Sequence, residues 1–357
     1  MYVIHLFSYV FLRISCIFFH IGKYAFLPQS CKKEAACLPR KLLIGIDGGG
    51  THSTAVAAYP DGRIAAVTKG GGMNFHNIGT HAVRIHLEAM VDDLCRQTGC
   101  EAAEVCAGMA ALDAPADTET TAHFIGKLSL QQLDLQSDAY IALMGFTLGQ
   151  PGVFVICGTG SMLLMLDGEG RQHAAGGWGY LLGDAGSGYT LAREGLLAAI
   201  DAAEGLAEDT PLLADALAYF GANAPRGLID RIYAPGFTPD KLAGFARCVL
   251  TRAKDGDSLA REIVQRNMHR LARHAARLVE KAPEANRIGL YGGIFTHSEL
   301  ARADFTQALM GMTPAVTVSA PEYPPELGAL IHLFKKRGLL TDEVLARMKS
   351  TYEEIRK

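Results

Sequence analysis

From Lys41 onward the chain sets short apolar runs between glycine-rich turns. Leu42 to Ile46 is apolar, ends at Asp47, passes through Gly48, Gly49 and Gly50 to Thr51, His52 and Ser53, and resumes as Thr54 to Tyr59. Short apolar runs bounded by turn residues predict strands, so this segment reads as strand, tight loop, strand. Pro60-Asp61-Gly62 is a turn signal, and Arg63 to Thr68 makes a third strand. The pattern returns at Val153 to Cys157, followed by Gly158, Thr159, Gly160 and Ser161, the strand Met162 to Asp167 and another turn. Thr51 precedes Asp61-Gly62-Arg63 by the same offset at which Thr159 precedes Glu169-Gly170-Arg171. Two strand-loop-strand units in register predict a duplicated lobe. Further on, Ala139 to Leu148 opens as a helix, and Ser258 to Lys281 carries Leu259, Ile263, Leu271 and Leu278 at helical spacing. Arg261, Arg266, Arg270, Arg273 and Arg277 in that helical stretch are expected to form a solvated face.

The loops narrow the chemistry. Three consecutive glycines let backbone N–H groups approach an anion closely, and Asp47 at the strand end can hold a hydrated cation. That composition suits phosphate and magnesium, although a glycine-rich hairpin without a ligand has the same local pattern. A Walker loop is disfavoured because no lysine follows the glycines, and a dinucleotide fingerprint because Thr54 to Tyr59 leads into a hairpin turn and not a helix. Two such loops facing each other across a cleft would hold the β- and γ-phosphates from both sides.

Composition limits the alternatives. The chain of 357 residues is 49% hydrophobic and 20% charged, enough for one large or two medium domains. A net charge of -3, without a run of Lys and Arg, argues against a nucleic-acid partner. Cys16, Cys31, Cys37, Cys95, Cys100, Cys106, Cys157 and Cys248 form no Cys-x-x-Cys pair and no zinc-ligand spacing, so reduced thiols and a cytoplasmic home are expected.

The first forty residues break the pattern. Tyr2 to Leu12 and Ile14 to Ile21 are almost wholly apolar and aromatic, interrupted by Arg13 and followed by Lys23, Lys32, Lys33, Arg40 and Lys41. A cleaved signal peptide would place basic residues before the apolar run and a small-x-small site after it, and neither is clear. A membrane anchor would carry a central arginine at a cost of about 2.5 to 3.5 kcal/mol. The expectation is an extension, 1–40, outside the fold; were it retained and inserted, its basic flank would keep the remainder in the cytoplasm.

Asp47-Gly-Gly-Gly-Thr-His-Ser53, Ser137-Asp138-Ala139, Cys157-Gly-Thr-Gly-Ser161, Gly176-Gly-Trp-Gly179, Gly183-Asp-Ala-Gly-Ser-Gly188 and Tyr291-Gly-Gly-Ile-Phe295 together resemble the N-acetylglucosamine kinases. These group with the BadF/BadG/BcrA/BcrD ATPases inside the actin, heat-shock chaperone and hexokinase superfamily. The resemblance runs from about Lys41 to Phe334, in the family's order and spacing. It implies an α/β, two-lobed, actin-like ATPase (ribonuclease H-like) fold with a duplicated lobe and a central nucleotide and sugar cleft. The lobes implied are 41–137, completed by a C-terminal helix at about 325–355, and 138–324.

The same resemblance implies site roles. Asp47 matches the acidic residue that positions Mg2+. Gly49, Gly50, Thr51, Gly158, Thr159, Gly160 and Ser161 match the nucleotide's phosphate contacts, and Gly292 and Gly293 the adenosine loop. Asp138 matches the catalytic base and sugar contact. Asn74, ahead of Ile78-Gly79, matches the sugar-binding asparagine, and Gly177, Trp178 and Asp184 match groups around the sugar hydroxyls. Pro325 to Phe334 matches the helix that returns to the first lobe. The implied partners are a small amino sugar and ATP, with a homodimer left open and membrane contact only through residues 1–40.

Elementary chemistry bears on these roles independently. A carboxylate that accepts the proton of a sugar hydroxyl is worth roughly 10²- to 10⁴-fold, and Asp138 stands where a helix begins. As an N-cap it would instead only stabilise that helix, by about 1 kcal/mol. Asp184, between Gly183 and Gly186, is expected on exposed backbone, as a ligand contact or a turn residue. Trp178, the sole tryptophan, packs beside a sugar ring or wedges between lobes. Asp113, at the end of an expected strand, faces the cleft or is merely solvated, and His52 receives no role.

Rival functions follow from the same residues. The acceptor is N-acetylglucosamine, phosphorylated on its 6-hydroxyl, or glucosamine or N-acetylmuramic acid. An ATPase that activates a dehydratase needs cysteine ligands for an iron-sulfur cluster, which the isolated cysteines do not supply. A sugar-responsive repressor needs a DNA-binding module ahead of the first loop, which the apolar segment does not resemble. A catalytically silent binding protein is disfavoured by the joint presence of Asp47, Asp138 and both loops.

Overall fold

The computed structural model describes residues 41–112, 116–129 and 131–356. The expectations for residues 1–40 and for Asp113 therefore lie outside the described residues.

The two hairpins become two five-stranded sheets of one design. In the first, β1 (Lys41–Gly48) pairs antiparallel with β2 (His52–Ala58), and β2 antiparallel with β3 (Ile64–Gly71). Past α1 (Phe75–Ile78) and α2 (Thr80–Thr98), the strand β4 (Glu101–Met109) lies parallel to β1. After α3 (Thr118–Ala122), β5 (Leu133–Ser137) lies parallel to β4, giving the order β3-β2-β1-β4-β5. Helix α4 (Asp138–Thr147) leads to the second sheet. There β6 (Gly152–Cys157), β7 (Ser161–Leu166) and β8 (Gln172–Gly176) form the antiparallel ribbon. Helices α5 (Gly188–Ala203), α6 (Leu212–Phe220), α7 (Gly227–Ile232), α8 (Pro239–Ala243), α9 (Ala246–Lys254) and α10 (Ser258–Lys281) come next. The strand β9 (Arg287–Tyr291) then lies parallel to β6. After α11 (Gly293–His297) and α12 (Glu299–Met312), β10 (Thr317–Ser319) lies parallel to β9. The order β8-β7-β6-β9-β10 repeats that of the first sheet strand for strand.

Packing follows from which face of each sheet is apolar. Ile44, Ile46 and Ala107 of the first sheet join Val83, Leu87 and Met90 of α2 in one core. Val155, Leu163 and Met165 of the second sheet join α5, α9, α10 and α12 in another. The third core lies between the sheets, where Ile141 and Phe146 of α4 meet α13 (Pro325–Lys336), α14 (Asp342–Ile355), Val56 of β2 and Phe154 of β6. α13 approaches so closely that a Cβ on Gly328 would lie 1.9 Å from Ile141 O, and one on Gly45 of β1 would lie 2.4 Å from Glu326 O.

Three local expectations need correction. β3 extends to Gly71 because the ladder with β2 continues to the pair His52 and Gly71. The C-terminal segment is two helices, broken at Gly338 with φ 67°. Ser137, not Asp138, is the N-cap of α4; its hydroxyl accepts the Tyr140 N–H at 3.1 Å, and Asp138 is the first helical residue.

Candidate active site

The first loop is gripped from both sides. The Ala110 N–H donates to Gly48 O at 2.9 Å and the Met73 N–H to Gly49 O at 2.8 Å. Gly72 lies so near that a Cβ on it would sit 2.3 Å from Gly50 O. This contact delivers Asn74 beside the loop. Its Oδ1 caps α1, accepting from the His76 and Asn77 N–H groups at 3.0 and 3.3 Å, which leaves the side-chain NH2 as a donor. His52 Nδ1 meets the Thr51 hydroxyl at 2.9 Å on the exposed tip.

The second loop rests on the start of α5. The Gly188 N–H donates to Gly158 O at 2.7 Å and the Tyr189 N–H to Thr159 O at 3.1 Å, turning those carbonyls inward. The amides of Gly50, Thr51, Thr159 and Gly160 donate to no acceptor among the described residues, the arrangement that an anion cradle requires. Gly292, with φ 104°, lies over the base of this loop, where a Cβ would meet Cys157 O at 2.4 Å. Gly293 follows as the first residue of α11.

Asp184 is buried, with 7% of its surface exposed, which corrects the expectation of an exposed turn. Burial pushes its carboxyl up, while N–H groups of Ser161 and Gly179 donate to it and oppose that rise. Its Oδ2 lies 2.8 Å from where a Cβ on Gly160 would stand, so the carboxylate is fitted against the second loop. Gly177 joins the same loop through its N–H to Ser161 O at 3.1 Å. Trp178 is 73% exposed and lines a small cavity beside Asp184.

Between the sheets Asp47 lies in the field of two further carboxyl groups. Burial, then the charge of Glu326, then that of Asp138, pushes the Asp47 carboxyl up to about 7. Asp138 Oδ1 accepts the Ala139 N–H at 2.7 Å. Glu326, in the first turn of α13 and 7% exposed, accepts from the Tyr352 hydroxyl. Burial and the charges of Asp47, Glu326 and Asp138 also raise the Tyr291 phenol, so a residue of the second sheet lies in the field of these carboxyls. Neither Asp47 nor Glu326 has a Lys or Arg partner among the described residues. Hard oxygen donors without a counter-cation fit Mg2+, which takes one or two carboxylates and completes its shell with water and substrate phosphate. Among the described residues no three His, Cys, Asp or Glu side chains form a metal-holding group.

The sequence pattern of the BadF/BadG/BcrA/BcrD ATPase family matches residues 44–332, most of the chain. The chain belongs to that family. It is 27% identical over 298 residues to an N-acetylmuramic acid/N-acetylglucosamine kinase of Clostridium acetobutylicum, covering 82% of this chain and 97% of that one. It is 28% identical over 243 residues to an N-acetyl-D-glucosamine kinase of Dictyostelium discoideum, covering 64% and 76%. A solved structure of a candidate N-acetylglucosamine kinase from Chromobacterium violaceum superposes with a TM-score of 0.65 at 25% identity, covering 82% of this chain and 99% of that one. The fold is thus the two-lobed, actin-like fold of this family.

Within this family member the anticipated residues fall into two groups. Asp47, Asp138, Asn74, Gly49, Gly50 and Thr51 gather around the first loop, and Gly158, Thr159, Gly160, Ser161, Gly177, Asp184 and Gly292 around the second. Glu326 and Tyr291 were not anticipated. Pro325-Glu326 reads locally as an ordinary helix start, with proline at the first position and an acid in the first turn. Only the packing of α13 on β1 at Gly45 carries Glu326 to Asp47.

Proposed function

We propose that this protein transfers the γ-phosphoryl group of ATP to the 6-hydroxyl of an amino sugar, with N-acetylglucosamine as the favoured acceptor. The observation that carries the reading is that Asp47 lies in the field of Glu326 and Asp138 beside the first glycine loop, while amides of both loops donate to no acceptor among the described residues. The names of two curated relatives, kinases of N-acetylated amino sugars, support it.

In this reading the lobes are 41–137 with the C-terminal helices, and 138–324, and the sugar lies between Asn74, Asp138 and Asp184. The Asn74 NH2 donates to a ring hydroxyl, and Gly177 and Trp178 flank the ring. Gly49, Gly50, Thr51, Gly158, Thr159, Gly160 and Ser161 hold the phosphates, and Gly292 with Gly293 meets the adenosine. Asp138 accepts the proton of the 6-hydroxyl as that oxygen bonds to the γ-phosphorus, and the bond to the β-phosphate oxygen breaks, its electron pair leaving with ADP. Asp47, with Glu326 beside it, would hold Mg2+, which when bound neutralises charge on the phosphates. Most of the acceleration comes from positioning and fixed donors, as in other phosphoryl transfers. The enzyme is proposed as cytoplasmic; among the described residues no helix is long and apolar enough to cross a membrane.

Incubation with Mg-ATP and N-acetylglucosamine, followed by phosphorus and carbon NMR of the product, tests the regiochemistry. A phosphate coupled to carbon 6 supports the assignment. A phosphate on the anomeric oxygen would remove it.

A further inference from the structure

The arginines of α10 do not share one fate. Arg261 forms two bonds to buried Asp304, at 2.5 and 2.7 Å. Arg266 reaches Glu194 and Glu262, each at 2.8 Å, and Arg277 reaches Glu280 at 2.7 Å. Arg270 has no such carboxylate among the described residues. It lines, with His274 one turn further along, a cavity of about 90 Å³ whose opposite wall is Trp178, Leu182, Gly183 and Asp184.

Trp178 and Asp184 of this lining are also residues assigned above to the acceptor sugar, so the cavity shares two residues with the proposed sugar site. Burial, then Arg270 and Arg273, hold the His274 imidazole below its ordinary range, and its ring nitrogens can donate or accept a hydrogen bond. Asp184 presents a carboxylate to the same cavity, but Ser161 and Gly179 N–H groups already donate to it. Arg270 is exposed and has no carboxylate partner among the described residues, and its planar donor fork matches a carboxylate. The volume equals about three waters at roughly 30 Å³ each, enough for a short acid arm and too little for a second sugar ring.

We propose that this cavity receives a carboxylate-bearing substituent on the ring of the acceptor sugar, with Arg270 as its ion-pair partner and His274 as its hydrogen-bonding neighbour. The inference rests on the amino-sugar kinase reading and sharpens it: Arg270 sets the preference between an acidic N-acylated sugar and its neutral parent.

The test is ADP release by the full chain with N-acetylmuramic acid and with N-acetylglucosamine, alongside calorimetric titration of each sugar. In Arg270→Ala the KM for the acidic sugar is expected to rise about tenfold more than that for the neutral one, with kcat for both little altered. Arg270→Lys, which keeps the charge and loses the fork, should recover part of the difference. Equal effects on both sugars, or wild-type turnover of the neutral sugar alone, would overturn the proposal. Should neither sugar be turned over, the kinase reading itself fails and the titration decides this one. Binding of N-acetylmuramic acid that weakens about tenfold in Arg270→Ala would sustain the anion site, and binding that is absent or unweakened would end it.

Discussion

The first hairpin loop and the second occupy the same place in sheets of the same strand order, yet the carboxylates beside them, both pushed up by burial, have different neighbours. Beside the first, Asp47 is half-buried against the like charges of Glu326 and Asp138, and its carboxyl is pushed up to about 7. Beside the second, the strand ends in buried Cys157, whose thiol donates to Gly186 O at 3.1 Å. The carboxylate there comes from Asp184, much later in the chain, and backbone N–H groups donate to it. Duplication thus supplies a symmetric cradle of amides. In the proposed function, divergence of the side chains would make one half a place for a cation and a proton acceptor and leave the other half to hold ligand.

The largest effect expected from this division is at Asp138. Asp138→Asn should lower turnover by at least about 10²-fold while its thermal unfolding midpoint stays near that of the wild type. Wild-type turnover in that variant would remove Asp138 as the base.

The asymmetry itself is sharpened by a matched pair. Asp47→Asn should raise the Mg2+ concentration needed for half-maximal rate by about tenfold. Asp184→Asn should leave that requirement in place while raising the sugar KM and destabilising the fold by about 1–3 kcal/mol. Identical metal titrations for the two variants would break the comparison.

A smaller effect separates glycines of the first loop. Gly72→Ala should cost about 1–3 kcal/mol in denaturant unfolding, because its Cβ would meet Gly50 O at 2.3 Å. Gly50→Ala, with no atom within 4 Å of the new Cβ, should cost clearly less. The reverse ranking would mean that the segment before Asn74 does not hold this loop.

The gentlest probe is pH. In chelator, with no nucleotide, the raised Asp47 carboxyl means that the folded chain binds more protons than the unfolded one between about pH 4 and about pH 7. Its contribution to stability is complete below the unfolded value and is lost as pH rises through about 7, at a slope on the order of 1 kcal/mol per pH unit. Asp47→Asn should flatten that slope in melts across the range. An unaltered slope would show that another group carries it.

Much of this molecule was legible in the chain because its signals are local. Glycine punctuation and apolar runs located both hairpins, and the equal offset from Thr51 and Thr159 to the next turn disclosed the duplication that the strand order repeats. The helical spacing of Ser258 to Lys281 became one helix. What escaped depends on partners distant in sequence. Glu326 reaches Asp47 only because α13 lies on Gly45. Asp184 is buried against Gly160 of the second loop. Arg270 differs from Arg261 and Arg266 in what stands opposite, Trp178 rather than Asp304 or Glu194, and helical spacing treats all three alike.

ADP release by the full chain with Mg-ATP and a panel of N-acetylglucosamine, glucosamine, N-acetylmuramic acid, N-acetylmannosamine and glucose tests the central claim most directly. The account predicts little release without sugar and strong release with an N-acetylated amino sugar. Release that ignores the sugar, or no release with any of them, would contradict it.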